Sequence, residues 1–160
     1  MRQALPRRKH LRRLERISVP EPVLFLLTIS VAGRRQVLAD HRAHSILVDA
    51  WLHSESAHGW LTGRYVVMPE HVHFFASPAG GSSRSLSAFI SYWKRSTANR
   101  IRDSIAPAFR WQAEFFDHLL RSHESYGQKW EYVRLNPVRA GLVAEAKDWP
   151  YQGEISVLHW

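Results

Sequence analysis

The sequence contains no cysteine among its 160 residues. This absence excludes disulfide bonds, thiolate zinc sites, iron–sulfur clusters and a cysteine nucleophile. Long apolar runs are missing as well, since no stretch approaches the ~20 apolar residues that a membrane span needs. The apolar segment 23–27 follows a basic stretch, as in a secretory signal, but Pro20 and Pro22 precede it and Thr28 and Ser30 interrupt it. We therefore expect a soluble cytoplasmic protein with no membrane association.

Acidic residues are the minority among the charged ones. The chain has 14 Asp and Glu against 22 Lys and Arg, which gives a formal net charge of +8. Such a balance indicates a polyanionic partner such as nucleic acid. Residues 1–16 alone hold seven basic side chains and one acid, and a second basic excess covers residues 94–110. The amino-terminal arm is either a solvated tail or an arm that contacts nucleic acid.

The length of the chain fits a single compact domain. Its composition is 45% hydrophobic, which argues against wholesale disorder. We divide the chain into a basic arm (residues 1–22), a folded domain (residues 23–151) and a short tail (residues 152–160).

Hydrophobic periodicity predicts how strands and helices follow one another. The predicted strands cover residues 23–31, 60–68, 71–77 and 115–121. The predicted helices run from an N-cap at Asp40 to Gly59, from Ser82 or Ser83 to Pro107, and over residues 124–135. The order β-α-β-β-α-β followed by a helix is that of the ferredoxin-like split βαβ arrangement. We therefore predict an α+β fold with a central antiparallel sheet and a C-terminal helix that carries Tyr132.

Two histidines stand two residues apart in the third predicted strand. Successive side chains of a strand point to opposite faces, so His71 and His73 share one face while Val72 points to the other. Two imidazoles on one face supply half of a metal site. The alternative is a pair of ordinary surface or core histidines, because the chain has ten.

A tyrosine and an asparagine stand four residues apart in the last predicted helix. Positions four apart share a helix face, so Tyr132 and Asn136 point together. Beside the two imidazoles they would complete a site in which a divalent cation polarises a phosphate and the phenol attacks the phosphorus. The alternative for Tyr132 is an ordinary position of an amphipathic helix. Tyr126 lies about 120° away around the same helix and is predicted to be structural.

Four segments carry a resemblance to a known family. Residues 65–73, Y-V-V-M-P-E-H-V-H, resemble the strand of the IS200-like single-tyrosine transposases in which two histidines flank a hydrophobic residue (HUH). Residues 111–121, W-Q-A-E-F-F-D-H-L-L-R, are similar to W-Q-x-x-F-x-D-H-x-I-R of that family, and residues 132–143, Y-V-R-L-N-P-V-R-A-G-L-V, to its Y-I-x-x-N-P-V-x-A-G-L-V. Residues 148–151 match its D-W-P ending. The Pro-Glu-His triplet and the Asn-Pro after the tyrosine resemble the branch of REP-associated tyrosine transposases.

The resemblance implies an activity, a cofactor and a partner. It implies a metal-dependent enzyme that cleaves and rejoins single-stranded DNA flanked by REP-like hairpins through a 5′-phosphotyrosine. Tyr132 would be the nucleophile, and His71, His73 and Asn136 would bind Mg²⁺ or Mn²⁺. The absence of a P-loop motif fits a family that needs no ATP. We further expect a bacterial, nucleoid-associated protein that acts as a monomer, with a homodimer as the alternative.

Candidate DNA contacts lie outside this constellation. Arg95, Arg102, Arg110 and Arg121 can neutralise phosphates, as can the amino-terminal arm. Trp111 could stack on an unpaired base, although a core position is the alternative for each tryptophan.

Two rival functions remain open. The first is a non-catalytic protein, derived from such a transposase, that binds nucleic-acid hairpins without cutting them. The second is a hydrolytic metal enzyme that uses activated water in place of Tyr132.

Overall fold

The computed structural model describes residues 23–121 and 124–159, and the predicted basic arm, residues 1–22, lies outside the described residues. The strands are β1 (Phe25–Ser30), β2 (Trp60–Val67), β3 (His71–Pro78), β4 (Phe116–Leu119) and β5 (Gln152–Glu154). The helices are α1 (His41–Leu52), α2 (Ser54–His58), α3 (Leu86–Ser104), α4 (Tyr126–Arg134) and α5 (Asn136–Arg139), with 3₁₀ turns at Ala32–Arg34 and Ala146–Asp148. In these ranges no helix combines the length and the apolar character that crossing a membrane requires.

The strands form one antiparallel sheet in the order β4-β1-β3-β2-β5. The first and third strands lie at its centre, as the split βαβ arrangement requires. The predicted α+β fold, with a C-terminal helix that carries Tyr132, is therefore confirmed. Strand β5 was not predicted; it pairs with residues 64–66 at the edge of β2.

Local sequence signals set the ends of the helices on one face of the sheet. Asp40 caps α1, because its carboxylate accepts from the N–H groups of Arg42 and Ala43. The predicted single helix from Asp40 to Gly59 is interrupted at His53, which separates α1 from α2. The N-cap of α3 is Ser85, whose hydroxyl accepts from Ala88 N–H at 3.1 Å, and not Ser82 or Ser83 as predicted.

The main core lies between α1, α3 and one face of the sheet. Trp51 of α1 and Trp93 of α3 stack with ring centroids 5.5 Å apart, and both rings contact Phe74 of β3. All three side chains are buried. Burying a large apolar side chain contributes about 1.5–3 kcal/mol relative to leaving it exposed, so this aromatic cluster supports the sheet that carries the two histidines.

A smaller core lies on the opposite face of the sheet, under α4. Phe75 of β3 packs there against Tyr126 and Val133 of α4. Because side chains alternate along a strand, His71 and His73 point to the same face as Phe75. The alternation therefore places both imidazoles on the face that α4 covers.

One glycine lets α4 approach the sheet closely. A Cβ on Gly63 of β2 would lie 2.6 Å from the Tyr126 hydroxyl oxygen and 2.6 Å from a methyl carbon of Leu158. That hydroxyl also accepts a hydrogen bond from Arg64 N–H at 3.0 Å. The start of α4 is therefore held against β2 at a point with no space for a side chain.

Replacing Gly63 with alanine is expected to destabilise the protein by about 1–3 kcal/mol, because an added methyl group must displace Tyr126 or Leu158. Urea denaturation measures this loss. Gly80→Ala is the matched control, since a Cβ at Gly80 has no atom within 4 Å. Equal stability of the two variants would show that α4 does not depend on this close approach.

Candidate active site

The two histidines of β3 meet directly. The Nε2 atoms of His71 and His73 lie 3.0 Å apart, and the rings are nearly perpendicular, with centroids 4.7 Å apart. The His71 side chain is only 13% exposed. The structure thus brings together the pair that the sequence predicted to share a face, with the two nitrogens directed at each other.

Each imidazole is also held at its other nitrogen. His71 Nδ1 lies 2.8 Å from a carboxylate oxygen of Glu70, and His73 Nδ1 lies 2.8 Å from the Thr28 hydroxyl. Since β1 pairs with β3 so that Thr28 faces His73, the sheet register supplies this second contact. A carboxylate can only accept, so His71 carries its proton on Nδ1 and leaves Nε2 as an acceptor.

Both histidines are neutral near pH 7. Burial lowers the pKa of His71, although the neighbouring Glu70 carboxylate opposes that shift. Burial lowers the pKa of His73 to about 3, with further contributions from His71 and from the positive charge of Arg139. Neutral imidazoles are the form in which histidine binds metal ions.

Arg139 contacts the two helical residues of the predicted site, Tyr132 and Asn136. Its guanidinium donates to the Asn136 side-chain oxygen at 3.0 Å and to the Tyr132 carbonyl at 2.7 Å. The same group lies 4.4 Å from the centre of the Tyr132 ring. Asn136 also donates from its side-chain nitrogen to the Val133 carbonyl at 2.9 Å, so both ends of its amide are fixed. The helix predicted to carry both residues is divided at Leu135, so that Tyr132 lies in α4 and Asn136 begins α5, and Arg139 of α5 contacts both.

The positive charge of Arg139 contributes to the lowered pKa of His73, but among the described residues no hydrogen bond or ring contact joins Tyr132 or Asn136 to the two histidines. Tyr132 itself is 67% exposed, so its ring is accessible from solvent. Among the described residues no group of three or more His, Cys, Asp or Glu side chains could hold a metal ion. Asn136 is the predicted third protein ligand.

The predicted DNA contacts are dispersed. Arg110 and Arg121 are exposed, whereas Arg102 donates to the Phe109 carbonyl and to Asn99. Arg95 belongs to α3, on the sheet face opposite the histidine pair, with its guanidinium 5.8 Å from the centre of the Tyr92 ring.

The prediction that Trp111 stacks on a base is wrong for this conformation. Trp111 is 8% exposed, and its indole N–H donates to the Thr97 hydroxyl at 2.9 Å. Its ring packs against Trp93 and Phe109. The alternative interpretation, a core tryptophan, describes this residue.

Three residues of this constellation were not predicted as site residues. Thr28 comes from a strand 45 residues before His73, and only the sheet register brings the two together. Glu70 is adjacent to His71 in the chain, and its position in the Pro-Glu-His triplet was a usable signal. Arg139 lies within the segment N-P-V-R, three residues after Asn136, at helical spacing.

Known proteins resemble the chain in both sequence and fold. A REP-associated tyrosine transposase of Escherichia coli K12 is 26% identical over 128 residues, which cover 79% of this chain and 73% of that protein. A relative in Haemophilus influenzae is 27% identical over 96 residues, or 53% of each chain. The solved structure of a REP-associated tyrosine transposase bound to a REP hairpin superposes with a TM-score of 0.67 at 23% identity, covering 86% of this chain and 79% of that one. No protein-family model matches the chain.

The fold and these relatives confirm the resemblance that the motifs carried, which is to the IS200-like single-tyrosine transposases. Within that class, the similarity is to the REP-associated tyrosine transposases.

Proposed function

We propose that this protein is a metal-dependent DNA strand transferase that cleaves and rejoins single-stranded DNA flanked by hairpins. The observation that carries the proposal is the pair of neutral imidazoles, with Nε2 atoms 3.0 Å apart and both Nδ1 atoms held, on the sheet face under the helix of Tyr132. The relative whose structure contains a REP hairpin supports hairpin DNA as the partner.

The residues present fit a divalent cation. His71 and His73 would hold it through Nε2, and the Asn136 side-chain oxygen would be the third protein ligand. Ligating histidines in proteins almost always have a partner on their other nitrogen, and here Glu70 and Thr28 occupy that place. The cation, Mg²⁺ or Mn²⁺, would polarise the phosphate that is attacked.

Cation binding requires a change in the protonation of His73. In the structure as it stands, His71 Nε2 is an acceptor, so His73 must donate from Nε2 and must accept from Thr28 at Nδ1. Both Nε2 atoms must be free of protons when they ligate a metal. The proton of His73 then resides on Nδ1, and the Thr28 hydroxyl can switch from donor to acceptor because it has both capacities.

Tyr132 would carry out the covalent step. Its phenolic oxygen forms a bond to the phosphorus and the bond to the 3′ oxygen breaks, so the tyrosine loses a proton and the leaving oxygen gains one. The product is a 5′-phosphotyrosine and a free 3′-hydroxyl. The reverse reaction with another 3′-hydroxyl rejoins the strand. The Arg139 guanidinium beside the ring stabilises negative charge as it develops on the phenolic oxygen.

The test is incubation of the full chain with a hairpin-flanked single strand labelled at its 3′ end, with Mg²⁺ or Mn²⁺. We expect labelled protein on a denaturing gel, a second fragment that ends in a 3′-hydroxyl, and loss of both in EDTA. A protein that binds the hairpin but yields no product would support the non-catalytic alternative. Cleavage without labelled protein would support hydrolysis by water.

Thr28→Val is expected to weaken the apparent affinity for the activating metal about 10- to 100-fold, as the loss of a hydrogen-bond partner behind a metal-ligating histidine usually does. Valine has nearly the same shape as threonine but cannot accept the His73 Nδ1 proton, so the metal-binding tautomer loses its partner. The cleavage rate as a function of Mn²⁺ concentration measures the change. Thr62→Val, in β2, is the matched control, because the Thr62 hydroxyl faces Ser54 of α2 and not the histidine pair. Identical metal titrations for wild type and Thr28→Val would contradict this role.

A further inference from the structure

A cavity lies on the other side of the sheet from the histidine pair. It has a volume of about 360 Å³ and lies between α1, α2 and α3. Volumes of this order are typical of sites for small molecules. Its lining includes His58, Phe89, Tyr92 and Trp93. The cavity is therefore walled by aromatic side chains and belongs to no part of the proposed cleavage site.

Two of the aromatic rings pack against each other at a tilt, and one of them is partly exposed. The rings of His58 and Tyr92 have centroids 3.8 Å apart with an interplanar angle of 44°. Tyr92 is 41% exposed, although it is a large aromatic residue in the middle of α3. An exposed aromatic face next to a cavity is a surface on which a nucleobase can stack, regardless of its identity.

The cavity wall also contains buried donors that lack a partner. The Arg84 guanidinium lies 3.4 Å from His58 Nδ1 and can only donate, so the neutral ring carries its proton on Nε2. Burial lowers the pKa of His58, as do Arg84 and Arg95, which keeps the ring neutral. Within the described residues, His58 Nε2 and Trp93 Nε1 have no hydrogen-bond partner, although both atoms are buried. Buried donors are nearly always paired, but neither nitrogen is exposed, so a base in the cavity would pair with them only if the surrounding side chains moved.

One arginine lines the cavity, and two others that do not line it contact residues of its wall. Arg100 on its wall is neutralised by Asp49 at 2.6 Å. Arg84 contacts His58, and Arg95 lies beside Tyr92. In the part of the chain that the structure describes, neither Arg84 nor Arg95 forms an ion pair with a carboxylate. Two guanidinium groups next to a base-sized aromatic cavity match the phosphate of a nucleotide.

We propose that the cavity between α1, α2 and α3 binds a nucleotide, with the base against Tyr92 and His58 and the phosphate near Arg84 and Arg95. The nucleotide is either free or an unpaired nucleotide of a DNA strand, and both present the same chemistry. The site goes beyond the proposed cleavage reaction, because it lies on the opposite face of the sheet and uses none of the residues assigned to that reaction. It gives Arg95 a specific role among the predicted DNA contacts.

The test uses the full chain and NMR of the assigned indole N–H resonances. The probes are dAMP, dGMP, dCMP and TMP, each added alone, and a single-stranded oligonucleotide of ten mixed bases. We expect the Trp93 indole resonance to shift on titration while that of Trp130, which packs on the opposite face of the sheet, stays in place. Shifts with a mononucleotide identify a site for free nucleotides, whereas shifts with the oligonucleotide alone identify an unpaired nucleotide of a strand.

Substitutions test whether the Trp93 shift reports binding at the proposed site. Tyr92→Ala is expected to weaken binding at least tenfold, because it removes the exposed ring on which the base stacks. Arg134→Ala on α4 is the matched control for loss of positive charge and should bind like wild type. Tyr132→Phe should also bind like wild type, which separates this site from the cleavage reaction. A Trp93 resonance that moves with none of the five probes would overturn the proposal, as would unchanged affinity in Tyr92→Ala.

Discussion

The Tyr132→Phe variant is expected to form no covalent adduct with hairpin-flanked DNA, with a loss of strand cleavage of at least about 10³-fold. The variant lacks only the oxygen that attacks the phosphorus. The phenylalanine ring retains the surface on which Arg139 lies, and the exposed position of residue 132 makes an effect on folding small. Hairpin affinity should therefore stay within about twofold of wild type, since the change removes no positive charge. A denaturing gel and a binding titration on the same samples measure both quantities.

Tyr126 provides the matched control on the same helix. It is 8% exposed and its hydroxyl accepts from Arg64 N–H, so it is held inside the protein. Tyr126→Phe should keep the adduct but lose about 1–3 kcal/mol of stability, because a buried donor is left without its acceptor. An adduct that persists in Tyr132→Phe and disappears in Tyr126→Phe would transfer the role of nucleophile to Tyr126. Cleavage without an adduct in Tyr132→Phe would make water the nucleophile.

Much of the fold could be predicted because its strands bury alternate residues. In β1, Leu27 and Ile29 are buried on one face while Thr28 and Ser30 are half-buried on the other. Strand β5 carries no such pattern, since Gln152, Gly153 and Glu154 contain no apolar side chain. It forms because the chain returns along the open edge of β2. Tertiary pairing, and not local periodicity, determines that strand.

The break between α1 and α2 was missed for a related reason. His53 and its neighbours have no residue that forbids a helix, and Gly59 provides the expected left-handed C-cap with φ 68°. The local cause lies in Ser54, whose hydroxyl oxygen lies 2.8 Å from the Trp51 carbonyl and 2.7 Å from the Trp60 carbonyl and shares its one proton between them. Serine often competes with helical hydrogen bonds in this way.

Local periodicity predicted some parts of the candidate site, whereas others depend on tertiary contacts. His71 and His73 could be paired from the period of a strand, whereas Tyr132 and Asn136, predicted to share a helix face, lie on either side of the boundary between α4 and α5. Of the groups that contact them, Thr28 reaches His73 only through the pairing of β1 with β3, whereas Arg139 is three residues from Asn136 in the chain. The same limit applies to tryptophans: composition could not tell that Trp111 lies in the core.

His73→Ala is expected to reduce metal-dependent cleavage at least about 10³-fold, because a lost ligand removes several kcal/mol of metal-ion stabilisation of the transition state. Hairpin affinity should persist. His41→Ala, at an exposed position at the start of α1, is the matched control and should cleave like wild type. Full activity in His73→Ala over the whole range of Mn²⁺ concentrations would refute the assignment of the metal site.

The same histidine also gives a stability test that needs no DNA. Its pKa falls from an ordinary 6.5 to about 3 in the folded protein, mainly through burial. Between these two pH values the unfolded chain holds a proton on His73 that the folded chain does not, so stability is complete above about pH 6.5 and decreases as the pH falls toward 3. His73→Gln has no titrating group there, so on going from about pH 7 to about pH 5 in EDTA it should lose less stability than wild type, by on the order of 1 kcal/mol per pH unit. Urea midpoints that fall equally in both proteins would mean that His73 keeps an ordinary pKa. The imidazole would then not be the buried, neutral ligand on which the proposed metal site depends.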